Sequence, residues 1–495
     1  MQDVKKYTSY FDELGFKETV RLMHEEIVSL YLEDNIPWVV GFSGGKDSTA
    51  TLQLIWGALN TLPKLKLHKP VHVISTDTQV ENPKVAHWVQ IVLKKMKVAA
   101  KDQSLPINPT RLTPALEDSF WVSLIGKGYP APRPLFRWCT SRLKISPSHS
   151  FVSSLVSKYG EAIMALGTRK AESAARAINM RRHEAKRTRA RLSPNSQMNN
   201  CMIYTPIEDW SNDDVWLFLT RQANPWGVPN TELLELYKEA TKDRECPLVV
   251  DENTPSCGSS RFGCWVCTLV TKDASMEAMI ANEKENEWLL PLCEFRNVLD
   301  ITDEEGKRDI RRMNGSVQLF RDSDRPIPGP YLQEHRKFLL QKLLETEAKL
   351  QEQAPAEFKD IRLITSEELI EIRRIWVEGK HEIEDLLPEI YNDECLEPLS
   401  EVIERSYSLP FSRGDLEILR DEIGDNKYLY ELCRELLSIG WGSRNMGKRA
   451  GLFSRMESAF HKSYYHSDED ALKLARRKKK KANMVKESAG REETV

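Results

Sequence analysis

A short apolar run, IPWVVGF (Ile36–Phe42), breaks directly into SGGKDST (Ser43–Thr49), and helical text, DSTATLQLIWGAL (Asp47–Leu59), follows without a spacer. A buried strand that turns on glycine into a helix N-terminus is an anion-binding arrangement. The glycines let the backbone approach the ligand, and the first turn of the helix aims free N–H groups and its positive dipole end at it. Ser43 and Ser48 add hydroxyl donors, and Lys46 adds a point charge. The loop is not a Walker A motif: Val40 stands where its first glycine belongs, and Asp47 follows the lysine.

The same alternation continues. Residues 12–34 carry Leu14, Val20, Leu22, Ile27, Leu30 and Leu32 at amphipathic-helix spacing. VHVIST (Val71–Thr76) predicts a second buried strand, Asn82–Lys97 a helix, and EAIMALG (Glu161–Gly167) a later strand. This pattern predicts an α/β fold with a doubly wound parallel sheet. The expected divisions are an N-terminal helix (1–35), a nucleotide-binding domain (36–235), a Cys-rich segment (236–300), a linker (301–330, with DSDRPIPGP at its end), a helical C-terminal domain (331–470) and a basic tail (471–495).

With 40% hydrophobic residues, 12 Trp and 14 Tyr over 495 positions, disorder is excluded and several domains are expected. No run of 18 apolar residues occurs, so no membrane partner is expected, and MQDVKKYTSYFDELGF lacks a secretory h-region. The expectation is a cytoplasmic protein. The net charge of −3 names no partner, but two blocks are strongly basic, Arg181–Arg191 and Lys473–Lys481. Either is a solvated face or a nucleic-acid contact.

Nine cysteines in such a chain suggest metal or redox chemistry rather than disulfides. Cys264 and Cys267 form a C-x-x-C, with Cys257 just upstream. A fourth ligand has two candidates, Cys139 in RWCTSRLK and Cys246 in ECP, the first preferred for its polar and basic neighbours. Four thiolates suit structural zinc or a 4Fe-4S cluster. The missing second C-x-x-C arm favours the cluster.

SGGKDS resembles the loop of the PP-loop ATP pyrophosphatases, which grip the β,γ-pyrophosphate of ATP and cleave between the α- and β-phosphates. Ser75-Thr76-Asp77-Thr78, LGTRKAESAAR (Leu166–Arg176) and PIEDWSNDDVW (Pro206–Trp216) resemble the PAPS reductase branch of that family. Taken with VVGFSGGKDSTATLQLIW, HVISTDTQVENP, FRWCTSRLKI and CGSSRFGCWVCTLV, they resemble the DndC family of DNA phosphorothioation proteins, with the single-strand SspD type an unresolved alternative. The resemblance spans residues from about 36 to 330. It implies ATP and Mg2+ at Ser43, Gly44, Gly45, Lys46, Asp47, Ser48, Thr49, Thr76 and Asp77, with Lys46, Asp47, Arg169 and Arg176 in the reaction. It further implies a 4Fe-4S cluster on Cys139, Cys257, Cys264 and Cys267, DNA as substrate, and a cysteine desulfurase and other Dnd modification proteins as partners. Arg181, Arg182, Arg187 and Arg189 would then carry DNA past the site.

Three other functions compete. A PAPS or adenylylsulfate reductase would need a nucleophilic cysteine near the C-terminus, whereas Cys433 sits in helical text. A tRNA thiolase would differ in the nucleic acid that receives sulfur. A DNA-binding scaffold with a degenerate nucleotide site is disfavoured by the intact SGGKDS.

Overall fold

A computed structural model describes residues 9–187, 189–241, 262–394, 411–444 and 451–492. The chain divides into two units. One comprises residues 1–115 and 132–296, the other 116–131 and 297–495.

The first unit is α/β and is built on six strands: β1 (Trp38–Gly41), β2 (Val71–Thr76), β3 (Ile107–Leu112), β4 (Ala162–Ala165), β5 (Leu192–Pro194) and β6 (Cys201–Tyr204). Their order is β3-β2-β1-β4-β6-β5, and every pairing is parallel except β5 with β6. Trp38, Val39 and Val40 of β1 are fully buried, because a central parallel strand is covered on both faces. Alternation decides which side chain goes where: Trp38 and Val40 join the large core with Ile55, Trp56, Trp210 and Trp216, while Val39 joins Ile74, Val152 and Leu155. Helices α1 (Phe16–Leu32), α2 (Lys46–Asn60), α3 (Pro83–Asp102), α4 (Ser146–Tyr159), α5 (Ala174–Glu184), α6 (Asn212–Arg221) and α7 (Asn230–Glu239) surround the sheet. Local chemistry sets several starts. Asn82 accepts from the Lys84 N–H at 3.0 Å with Pro83 behind it, and Ser211 and Asp214 form a capping box. The sheet order reverses on either side of β1, so the crevice at the C-terminal ends of β1 and β4 is where an α/β sheet of this type binds ligands.

Strands β3, β5 and β6 lack a strong sequence signal. INPTRL carries a proline and alternating polar residues, and CMIY is only four residues long.

The second unit is helical, with its longest helices at Gln333–Gln353, Lys427–Ser443 and Asp468–Glu492. Residues 116–131 enter its core: the indole N–H of Trp121 donates to Leu363 O at 2.6 Å, and that of Trp376 to Ile125 O at 3.0 Å. The stretch read as a linker, 301–330, is structured in the same unit. Arg311 is buried and donates to Asp309 and Glu431, and Arg308 reaches the carbonyls of Pro328 and Gly329.

His335 in this unit gives a pH prediction. It is 9% exposed, and its Nε2 has no hydrogen-bond partner among the described residues. Its ring lies 4.6 Å from that of Tyr331, and burial pushes its pKa down to about 4. The unfolded chain therefore takes up a proton between about pH 6.5 and 4 that the folded chain refuses. The stability that the neutral ring contributes is complete above pH 6.5 and falls by about 3 kcal/mol toward pH 4. His335→Phe is expected to flatten this part of the pH profile. Urea midpoints at pH 4.5 and 7.5 check it, and an equal pH dependence in the variant refutes it.

Candidate active site

The turn after β1 places Gly44 at φ +78°, a conformation that suits glycine. A Cβ there would also lie 2.4 Å from Val89 Cγ2. The Ser43 N–H donates to Ser48 Oγ at 3.2 Å, and the Ser48 and Thr49 hydroxyls each donate to Gly45 O at 2.9 Å. Thr49 is buried, so its hydroxyl braces the loop from behind while Ser43 is exposed at the mouth. Helix α2 has Gly45 as its N-cap and no side-chain cap there; the Lys46 N–H donates to Tyr237 Oη at 3.3 Å, which leaves the Asp47 and Ser48 N–H groups to a ligand. Lys46 is buried beneath the loop. Its Nζ is 5.4 Å from the centre of the Tyr237 ring and 3.4 Å from Asp47 Oδ2. Burial pushes its pKa down, Arg169 adds to that, and Asp47 opposes it.

Arg169 joins the loop from the end of β4. It is 3% exposed, its Nε donates to Asp47 Oδ1 at 2.7 Å, and its Nη1 donates to Trp210 O at 3.3 Å. Gly167 makes this approach possible, because a Cβ there would lie 2.6 Å from Asp47 O. Glu172 closes the turn by accepting from the Arg169 N–H at 3.0 Å and from Arg176 Nη1.

These residues border a cleft of about 530 Å³. Its walls include Ser43, Gly45, Lys46, Asp47, Ser48 and Arg169, and also Glu81, Lys144, Phe262 and Gly263. The phosphate loop and the approach to the C-x-x-C turn therefore open on one space. Glu81 bridges Cys264 in an antiparallel pair, the Cys267 N–H donates to Cys264 O at 3.1 Å, and Thr78 Oγ1 lies 3.3 Å from Cys264 Sγ. Burial pushes the Cys264 thiol up to about 11, and the Cys139 thiol is raised by burial and by Cys267. The Lys144 ammonium is held above its usual range, chiefly by charge on Cys264.

Arg296 is a residue that motif reading missed. It is 3% exposed and donates to the carbonyls of Cys267 and Thr271 at 3.0 Å each, and to Val270 O. It grips the backbone that leaves the cysteine turn. Arg296→Met should orphan these carbonyls at a cost of about 3 kcal/mol. Cys264 and Cys267 should then react faster with a thiol reagent. Reactivity unchanged from wild type would refute this role. Tyr237 was missed as well, because it reads as an ordinary apolar position in an amphipathic helix.

Other sequence candidates fall elsewhere. Thr76 Oγ1 pairs with Ser148 Oγ at 3.0 Å, Asp77 is held by Arg111, and neither is among the residues that line the cleft. Arg176 lines a second cleft. Arg187 pairs with Glu208 at 2.8 Å and Arg189 with Asp34 at 2.6 Å, whereas Arg181 and Arg182 are exposed. The basic run Lys473–Lys481 is helical and largely exposed. Cys246 and Cys257 lie outside the described residues, and among the described residues no three His, Cys, Asp or Glu side chains are placed to hold a metal ion. Cys139, Cys264 and Cys267 are described and do not form such a group, although Cys267 lies near enough to Cys139 to act on its thiol. No helix among the described residues is long and apolar enough to cross a membrane.

Residues 37–270 match the phosphoadenosine phosphosulfate reductase domain model, so this part of the chain is a PAPS reductase-like domain of the PP-loop type. An uncharacterized protein of Methanocaldococcus jannaschii is 26% identical over 242 residues, 49% of this chain and 38% of that protein. The chain thus covers well under half of that relative. Among solved structures, the FMN adenylyltransferase of Candida glabrata, in complex with FAD and inorganic pyrophosphate, matches at TM-score 0.26 and 11% identity, over 45% of this chain and 60% of that one. The U34-tRNA thiolase NcsA of Methanococcus maripaludis, with its 4Fe-4S cluster, matches at 0.27 and 13%, over 60% and 86%. At these values neither structure bears on function.

Proposed function

We propose that the protein cleaves ATP between its α- and β-phosphates to activate a backbone phosphate of DNA for replacement of a non-bridging oxygen by sulfur. The carrying observation is the shared cleft, which the phosphate loop lines together with Glu81, the residue bridged to Cys264, and with Phe262 and Gly263 just before that cysteine. Pyrophosphate is held by the uncapped N-terminus of α2, Ser43, Ser48 and Lys46, and Arg169 meets charge developing at the α-phosphate. An oxygen of the acceptor phosphate attacks the α-phosphorus, and pyrophosphate leaves. A persulfide from a cysteine desulfurase then attacks the acceptor phosphorus, AMP departs with the oxygen, and a thiol reduces the remaining S–S bond.

Cys257, Cys264 and Cys267, with Cys139 or Cys246 as the fourth ligand, would hold a 4Fe-4S cluster, which would supply an electron- or sulfur-holding centre. Mg2+ has a weaker case from the chain itself. Asp47 is engaged by Arg169 and Lys46, and Glu172 by Arg176, so the ion would come with the nucleotide. Arg181 and Arg182 offer the acceptor strand its nearest exposed cations on α5, and the cytoplasm is the expected setting.

The test is the product set from ATP, using anaerobically purified protein with and without DNA. AMP and pyrophosphate, increased by DNA, support the reading, as does transfer of label from α-labelled ATP to DNA when sulfur donor is withheld. ADP and phosphate overturn it. A reductase reading has the matched domain in its favour, and sulfite release from PAPS in the same assay would select it.

A further inference from the structure

The segment Leu166–Arg176 separates two clefts. Arg169, Ala171 and Glu172 face the nucleotide cleft, while Leu166, Thr168, Ser173 and Arg176 line a second one of about 450 Å³. Its walls are largely apolar, from Leu166, Ala175, Met180 and Ile203. The cleft exists because α5 is underpacked. No residue of its eleven is buried, although one of its faces (Ala175, Arg176, Asn179, Met180 and His183) borders the ends of β4 and β6. A helix that presents a Met and an Ala to open space forgoes burial worth about 1 kcal/mol or more per side chain unless something covers them.

The polar groups of the cleft fall into two sets. Deep ones are spoken for: Thr205 Oγ1 donates to Glu208 at 2.9 Å, and Arg187 donates to Ser193 Oγ at 3.2 Å and to Glu208. The Asn179 amide and the His183 ring make no side-chain hydrogen bond to any described residue. They offer an amide donor and acceptor and an imidazole ring to a planar polar edge. Cations accompany them: Arg176 and Arg187 line the cleft, and the exposed Arg181 and Arg182 follow on the same helix. Apolar walls, a free amide and adjacent arginines are what an unstacked nucleobase with its phosphates requires.

We propose that this second cleft takes one base of the acceptor strand, unstacked from its neighbours, so that the adjoining phosphate is led over the Gly167–Ser173 wall toward the nucleotide cleft. This rests on the nucleic-acid reading above. The occupant is the acceptor base and not the adenine of ATP.

The experiment uses the full-length protein and single-stranded DNA carrying one 2-aminopurine, whose fluorescence rises on unstacking, without ATP. Wild-type protein is expected to raise the fluorescence. Ala175→Phe, which fills the cleft from an exposed helical position, should abolish the rise and weaken binding about 10-fold. Asn179→Ala is the second variant, expected to weaken binding several-fold without added bulk, and melting curves check that both fold. In parallel, a photo-reactive 5-iodouracil strand should crosslink to residues 175–183 or 203–205. Wild-type fluorescence and affinity in both variants overturn the inference. So does labelling of those residues by 8-azido-ATP, which would assign the cleft to adenine. Wild-type sulfur incorporation into DNA in both variants would overturn the pocket while leaving the proposed function standing. AMP-forming turnover that DNA never stimulates would strike the function instead.

Discussion

Gly167→Ala is expected to lower ATP cleavage at least 100-fold while leaving the protein folded. Gly167 is not needed for its backbone angles. It is needed because the first turn of α2 runs against it. An alanine Cβ would sit 2.6 Å from Asp47 O, 2.7 Å from Asp47 C and 3.0 Å from Ser48 N. All three are backbone atoms, so no side chain can rotate away and the helix start must move. A displacement approaching 1 Å of the groups that hold a reacting phosphate is worth about a factor of 100 in rate. The cost to stability is that of local overpacking, about 1–3 kcal/mol. Pyrophosphate release under saturating ATP, beside a urea midpoint, separates the two effects. Near-wild-type release would mean that this face of α2 does not hold the phosphates.

Arg169→Ala carries the second large effect. The side chain links Asp47 Oδ1 to Trp210 O from a position that is 3% exposed. Loss of one preorganised donor at a reacting oxyanion costs about 100- to 1000-fold in turnover. Asp47 would also lose its main partner. Because its side chain is 23% exposed, water repays part of that, and a stability loss of about 2 kcal/mol is expected. Arg169→Lys keeps the charge but not the forked geometry, so it should recover stability better than turnover. Equal recovery of both would reduce Arg169 to a structural brace.

Much of the α/β unit was legible because its signals are local. An apolar run followed by SGGKDS can satisfy its backbone in few ways, and Val71–Thr76 appears as a strand over the residues expected. The Gly-Thr-Arg element lands against the phosphate loop. Signals that depend on partners were not legible. The strand Ile107–Leu112 is recruited by pairing with β2 rather than by its own pattern, and Arg296 becomes a clamp only where the cysteine turn lies beside it.

The basic run 181–191 shows the same division within eleven residues. Composition marks all five arginines alike, and Arg191 is engaged by Glu26 and Glu208. Only packing against Asp34 and Glu208 engages Arg189 and Arg187 while Arg181 and Arg182 stay exposed. The sequence by itself determined the strand–loop–helix that can grip pyrophosphate, since short-range sterics and free N–H groups require nothing distant. Tertiary structure alone decided that Arg169, Glu81, Lys144 and the approach to Cys264 share that cleft, because residues so far apart in the chain meet only when the sheet order reverses beside β1.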